Sequence, residues 1–273
     1  MTDSQGKVLA FVGSRLLLRE TAEGLRLPTL REVEAAFERE RLESSRLDVR
    51  VSVTRTRAYA FSFDYDLSLP LGYRCDGLRV AYHSLEREDF RAAGAARQLV
   101  EWRRTTRFCA ACASPVAPSD AHDALACSAC GRLHFPPISP AVIVLVQRGR
   151  QALLGRSARF PEGVYSTLAG FVEPGESLEE CVHREIFEEV GVKVHHLQYF
   201  GSQPHPFPHS LMVGFVADWL EGDIRIDEDE IEDARWFDAD DLPGLPHPMS
   251  IARALKSEEH TSELQSRGLI SYA

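Results

Sequence analysis

GFVEPGESLEECVHREIFEEVGV, residues Gly170 to Val192, describes a loop running into a helix. Pro174-Gly175 marks a turn, and Ser177 followed three residues later by Glu180 has the form of a capping box, so the helix begins there. Gly191 is placed to end it in a left-handed cap. At about 100° per residue, Leu178, Val182, Ile186 and Val190 fall in one apolar stripe that should face a core. On the same wheel Glu185 and Glu189 lie roughly 20° either side of Leu178, and Glu188 about 80° from it. Two glutamates therefore border the buried face, where a carboxylate is costly unless something offsets its desolvation.

A divalent cation is the natural partner for carboxylates spaced i, i+3, i+4. Hard ions such as Mg²⁺ or Mn²⁺ take oxygen ligands and also bridge phosphates. Glu185, Glu188 and Glu189 are thus candidate metal ligands on one helix. The bland alternative is a solvated acidic helix with ordinary ion pairs from Arg184.

The chain has 273 residues, 44% of them hydrophobic, and a formal charge of −10. That leaves room for one large domain or two smaller ones with an ordinary core. The acidic balance argues against a general nucleic-acid-binding surface but leaves local recognition of one terminal nucleotide open. The N-terminus, MTDSQGK, lacks a signal-peptide layout, and the longest strongly apolar run, Ala141 to Val146, is far too short to span a bilayer. A soluble cytoplasmic protein without membrane association is expected.

Four of the six cysteines form Cys109-x2-Cys112 and Cys127-x2-Cys130, separated by fourteen residues. This spacing suits tetrahedral Zn²⁺, and four thiolates leave no open position, so the ion should fold the segment and not do chemistry. A redox dithiol pair or a nucleic-acid-reading ribbon are the rival readings. Cys75 and Cys181 read as small buried hydrophobes. Arg103, Arg104 and Arg107, just before the ribbon, suit a helix end, where cations meet the negative pole of the dipole; an RNA or phosphate contact is the alternative.

Elsewhere the pattern alternates strands and helices. Lys7 to Leu18 reads as a hairpin about Gly13-Ser14, Pro28 to Phe37 as a short helix, and its charged tail Glu38 to Glu43 as a solvated face. Leu47 to Phe63 alternates like a strand, and Leu85 to Trp102 reads as a helix. Phe135 to Pro140, with three prolines, is a stiff connector. Beyond it Ala141 to Val146 should be a strand buried on both faces, turning at Arg148 to Arg150 into a returning strand, Gln151 to Gly155. Val164 to Ala169 leads into the glutamate helix, and Val192 to Phe200 leads away as a strand. Ser202 to Ser210, SQPHPFPHS, is expected to be a stiff loop before a strand from Leu211 to Ala217. Gly222 to Trp236 is acid-rich and mostly a solvated turn, and a Pro-rich loop precedes a helix near Ser250. This order implies a mixed α/β fold.

The glutamate stretch matches the Nudix hydrolase box at every defined position: Gly170, Glu176, Arg184, Glu185, Glu188, Glu189 and Gly191. With the ribbon before it and SQPHPFPHS after it, the chain resembles the NADH pyrophosphatase branch of that family, some members of which also remove the NAD cap from RNA. The resemblance covers residues 105 to about 256 and the N-terminal third in general layout. It implies an N-terminal α+β domain (1–104), a zinc ribbon (105–138) and a mixed-sheet α/β/α sandwich catalytic domain (139–256), working as a homodimer whose subunits complete each other's sites.

The resemblance further implies that Glu185, Glu188, Glu189 and an outlying Glu230 hold catalytic Mg²⁺ or Mn²⁺, with Asp229 and Glu232 close enough to compete for the last place. Glu189 is then the candidate base, while Gly170, Glu176 and Arg184 support the loop and helix. Phe135, Phe171, Gln203, His205, Phe207 and Ser210 fall at substrate-binding positions, with Phe171 and residue 205 clamping a base between them; for Phe171 a core aromatic is the plain alternative. The pattern departs at His205, where tryptophan is usual and an imidazole offers less stacking surface, and at Phe135, where tyrosine is common. The expected reaction is hydrolysis of the NAD(H) pyrophosphate to nicotinamide mononucleotide and AMP, with NAD-capped RNA as a further substrate. The alternatives are a broader nucleoside diphosphate hydrolase acting on, for example, ADP-ribose, and a non-catalytic nucleotide-sensing module.

After Lys256 the apolar period fails. Ser257 to Ala273, SEEHTSELQSRGLISYA, resembles a translated sequencing adapter, so the final helix of the catalytic domain is expected to be cut short.

Overall fold

The computed structural model describes residues 6–47, 51, 59–64 and 67–257. They fall into two compact units divided after residue 137, with Pro206–His209 grouped with the first. The stretch 258–273, which holds nearly all of the adapter-like sequence, lies outside the described residues, as do residues 1–5.

The first unit begins with β1 (Val8–Val12) and β2 (Arg15–Thr21), an antiparallel pair about a turn at Gly13, whose φ of 57° a glycine adopts without strain. β3 (Gly24–Arg26) follows, then α1 (Leu30–Ala36), started by a capping box between Thr29 and Glu32. The charged tail is not simply a solvated face: it forms α2 (Arg39–Ser45), and Leu42 is buried beside Val33 and Phe37. Of the expected strand Leu47 to Phe63, β4 (Arg46–Leu47) and β5 (Tyr59–Phe63) are described and 48–50 and 52–58 lie outside. β6 (Tyr73–Asp76), α3 (Leu78–Ala81) and α4 (Arg87–Thr105) complete this part.

The strands order as β3-β2-β1-β5-β4, with β6 on β2 and β5 parallel to β1. The period of two in β1 divides its side chains between two cores. Leu9 and Phe11 pack with Leu78, Ala93 and Ala96 of α3 and α4, while Val8, Ala10 and Val12 pack with Leu30 and Val33 of α1. Arg103 and Arg104 end α4 as the sequence suggests, Arg104 paired with Glu101 and Arg103 lying over the Trp102 ring. The ribbon is a separate antiparallel sheet of β7 (Val116–Pro118), β8 (Leu125–Cys127) and β9 (Leu133–His134).

The second unit is a sheet with a helix on each face. β10 (Ser139–Arg148) and β11 (Gln151–Arg156) form a hairpin about Gly149, and β12 (Leu168–Phe171) pairs antiparallel with the first half of β10. After α5 (Leu178–Val190) come β13 (Lys193–His205), β14 (Ser210–Glu221), β15 (Asp233–Asp238) and α6 (Ile251–Ser257). Strand order is β13-β14-β10-β11-β15, and β14 runs parallel to β10. Val142, Val144 and Val146 of β10 pack against the α5 side, whereas Ile143 and Leu145 pack against Ile251 and Leu255 of α6. A central strand covered on both faces is why AVIVLV is apolar without alternation.

Two expectations are corrected. SQPHPFPHS is not a loop from end to end. Ser202 to His205 finish β13, paired with Val213 to Ser210 of β14, and only Pro206–His209 turn. Pro204 is tolerated because β13 is an edge strand, where one backbone N–H can be missing without breaking a second ladder. The acid-rich stretch likewise turns only as far as Glu232, since Asp233 to Trp236 belong to β15 and pair with β11.

Candidate active site

α5 starts where the capping box places it. The Ser177 hydroxyl accepts from the Glu180 N–H at 3.2 Å, and the Glu180 carboxylate accepts from the Ser177 N–H at 2.8 Å. Gly191 closes the helix with φ 72°, its N–H donating to the Phe187 carbonyl. Val182, Ile186 and Val190 are fully buried, which sets the rotation of the helix and with it the depth of each glutamate. Glu185 and Glu189 are 8% and 6% exposed, and the Glu188 side chain is 56% exposed.

Arg184 gathers the loop and the helix. Its Nε and Nη2 form a two-pronged pair with Glu176, Nη2 also donates to the Phe171 carbonyl at 2.9 Å, and Nη1 reaches Glu185 and Glu188 at 2.9 Å each. The guanidinium holds the Glu176 carboxyl down at about 2, with the Glu173 N–H adding to the effect. Such a fork fixes geometry as well as charge. Gly170, on β12, faces Glu185 so closely that a Cβ there would lie 1.8 Å from the carboxylate carbon. Any side chain at 170 would therefore displace Glu185.

Glu189 has no such partner. Its carboxyl is pushed up to about 8, first by burial and then by the negative charges of Glu185 and Glu230, with the Ala169 N–H pulling the other way. Glu185 is raised by burial too, despite Arg184, and also feels Glu188 and Glu230. Of the three acids that compete for the fourth carboxylate, Glu232 is paired with Arg156 at 3.2 Å, whereas Glu230 is the one whose charge reaches both buried glutamates. Glu189 Oε2 is buried and, among the described residues, accepts no hydrogen bond. An all-oxygen donor set with a surplus of negative charge and an orphaned buried oxygen fits a hard divalent cation. Among the described residues these oxygens do not converge as tightly as the ribbon sulfurs, and Glu185 and Glu188 are each paired with Arg184.

The ribbon cysteines are brought together: Cys109 and Cys130 sulfurs lie 3.7 Å apart, Cys112 and Cys127 3.4 Å, Cys112 and Cys130 3.7 Å. A zinc ion with Zn–S bonds of about 2.3 Å places tetrahedral sulfurs roughly 3.8 Å apart, so the four fit it. Cys75 and Cys181 are buried free thiols, as expected.

The residues expected at the substrate are placed unevenly. Phe171, at the end of β12, is 58% exposed, which sets aside a role as a core aromatic. His205 and Ser210 face each other across the β13–β14 ladder, Ser210 buried. Phe135 is exposed and lines a cleft of about 340 Å³ in the first unit with Glu101, Trp102, His134 and His209. The other two are otherwise engaged. Gln203 donates to the Met249 carbonyl at 2.6 Å and accepts from the Ile251 N–H at 2.8 Å, so its amide fastens the start of α6. Phe207 packs among α4 residues with the Arg79 guanidinium 4.7 Å from its ring centre. Sequence reading gave no role to Arg156 or to Phe187, which is 54% exposed on α5; the first is visible only once β11 and the acid-rich turn meet. Among the described residues no helix is long and apolar enough to cross a membrane.

Three family profiles match in succession along the chain: "NADH pyrophosphatase-like rudimentary NUDIX domain" over residues 5–102, "NADH pyrophosphatase zinc ribbon domain" over 104–135, and "NUDIX domain" over 137–256. The protein named NAD-capped RNA hydrolase NudC from Chromobacterium violaceum is 56% identical over 178 residues, 65% of this chain and 67% of that one. The protein of the same name from Stutzerimonas stutzeri is 53% identical over 184 residues, 67% of each chain. In that from Pseudomonas aeruginosa strain LESB58 the identity is 54% over 168 residues, covering 62% of this chain and 60% of the relative. With an intact box on α5 and the ribbon ahead of it, the chain belongs to the Nudix hydrolases, in the group marked by the NADH pyrophosphatase zinc ribbon.

Proposed function

We propose that this protein is a divalent-metal-dependent hydrolase that cleaves the pyrophosphate of NAD(H) to nicotinamide mononucleotide and AMP, and that removes NAD caps from RNA. The observation that carries the reading is the Glu189 carboxyl, buried at the edge of the apolar face of α5, unpartnered at one oxygen and within reach of the charges of Glu185 and Glu230. The resemblance of the whole profile series to NADH pyrophosphatases, and the names of the NudC relatives, support the choice of substrate.

In the reaction a water oxygen forms a bond to one phosphorus, the bond from that phosphorus to the bridging oxygen breaks, and two monophosphates leave. Glu185, Glu188, Glu189 and Glu230 would hold Mg²⁺ or Mn²⁺, which when bound would neutralise charge on the phosphates and acidify water. Glu189, whose buried Oε2 accepts no hydrogen bond among the described residues, is assigned as the group that takes the proton. Arg184 and Glu176 hold the loop before α5, and Gly170 leaves the space in which Glu185 lies. Phe171 is an exposed ring available to stack on a base, with His205 as its less extensive counterpart. The division into residues 1–104, 105–138 and 139–256, a homodimer and a cytoplasmic location are parts of the same proposal.

Product analysis with NADH, NAD, ADP-ribose and NAD-capped RNA side by side, in Mg²⁺ and in Mn²⁺, tests it. Nicotinamide mononucleotide from the dinucleotides and a 5′-monophosphate end on the RNA are expected. Cleavage of ADP-ribose alone would favour the broader hydrolase, and binding without turnover the sensing module.

A further inference from the structure

Away from the box, β13 carries an irregularity that brings metal-type side chains together. The ladder pairs His195 with Asp218 and Gln198 with Val216, so His196 and Leu197 together oppose the single residue Ala217. This is a β-bulge. Consecutive strand residues ordinarily point to opposite faces, but His196 has φ 50°, a left-handed conformation uncommon for a non-glycine residue. The extra residue lets Leu197 return to the core while His196 stays out beside His195, their rings 4.0 Å apart, and Nδ1 of His196 lies 3.2 Å from an Asp218 oxygen. One ligand atom from each of His195, His196 and Asp218 lies within 4.8 Å of the others. All three are on the edge strand or its neighbour; His195 is half-buried, and the His196 and Asp218 side chains are 71% and 50% exposed.

We propose that His195, His196 and Asp218 form a metal site for a borderline divalent ion of the zinc, nickel and copper class, separate from the glutamates of α5 and from the ribbon. Two imidazoles and one carboxylate select such ions over Mg²⁺, which takes oxygen ligands. Three protein ligands leave further positions to water, in contrast to the closed four-cysteine site. The left-handed conformation at 196 sets its ring beside His195 and Asp218.

The test is equilibrium dialysis of Zn²⁺ against protein whose ribbon already holds zinc, in saturating Mg²⁺ to occupy the carboxylates. Wild type should bind one more zinc per chain than the ribbon accounts for. His196→Asn, which removes the ring while suiting the left-handed backbone, should keep the melting temperature or raise it and lose about tenfold or more in affinity for the added ion. The His195→Ala/Asp218→Asn double variant should lose the added ion as well. Equal stoichiometry and affinity in wild type and both variants would mean adventitious surface zinc only and overturn the site, as would no zinc beyond the ribbon's in wild type.

Discussion

At the scale of single residues, the strongest constraint is the depth of the glutamates. Glu185 and Glu189 border the apolar stripe and Glu188 does not, and that difference follows from 100° per residue before any coordinate is known; their exposures of 8%, 6% and, for the Glu188 side chain, 56% are its outcome. What the spacing does not convey is Arg184 bridging three carboxylates, or the orphaned oxygen of Glu189, because both depend on how β12 meets α5. Glu189→Gln replaces that carboxylate with an isosteric amide, so the fold should hold and turnover of NADH should fall by about 10² or more. Steady-state kinetics showing kcat within about threefold of wild type would remove Glu189 from the role of base. At the base-stacking position, His205→Trp should lower KM for NADH by restoring a face worth roughly 1 to 3 kcal/mol. An unchanged or higher KM would mean that residue 205 does not meet the base.

At the scale of elements, apolar periodicity made α1 and α4 legible, the box of Ser177 with Glu180 made α5 so, and an unbroken apolar run β10, while the Thr29–Glu32 box that starts α1 emerged only in the structure. Long-range pairing was less legible. The prolines of SQPHPFPHS suggested a loop, yet Ser202 to His205 are strand because β14 supplies the ladder and the edge position spares the one donor missing at Pro204. The bulge at His196 has no sequence signal of its own, as the usual glycine is absent. The start of α1 yields a pH prediction. Arg26 holds the Glu32 carboxyl at about 2, below its ordinary 4.5, with the Thr29 N–H and hydroxyl adding to this. A carboxyl depressed in the folded state stabilises the fold fully above about 4.5, and that contribution is lost as pH falls from there toward 2. Glu32→Gln should therefore lower stability near neutral pH and make the acid limb of the denaturation profile shallower between those values. A profile parallel to wild type across that range would show that the pair adds nothing to folding.

At the scale of the whole molecule, two metal chemistries of opposite kind sit in one chain. The four ribbon sulfurs form a closed site, so chelation of zinc should unfold residues 105–138 and expose their amides to exchange, while the cation on α5 remains freely exchangeable. Metal analysis of purified protein showing no tightly held zinc would contradict this. The glutamates are proposed to form an open site that directs water to a phosphorus of NAD(H). Hydrolysis of NADH in ¹⁸O-labelled water, with the products separated by mass spectrometry, tests this. Reduced nicotinamide mononucleotide and AMP are expected, with one label on the phosphate of only one of them and about a hundredth or less of either product from Glu189→Gln within the same time. Release of nicotinamide with intact ADP-ribose, or monophosphates formed equally fast by the variant, would contradict it.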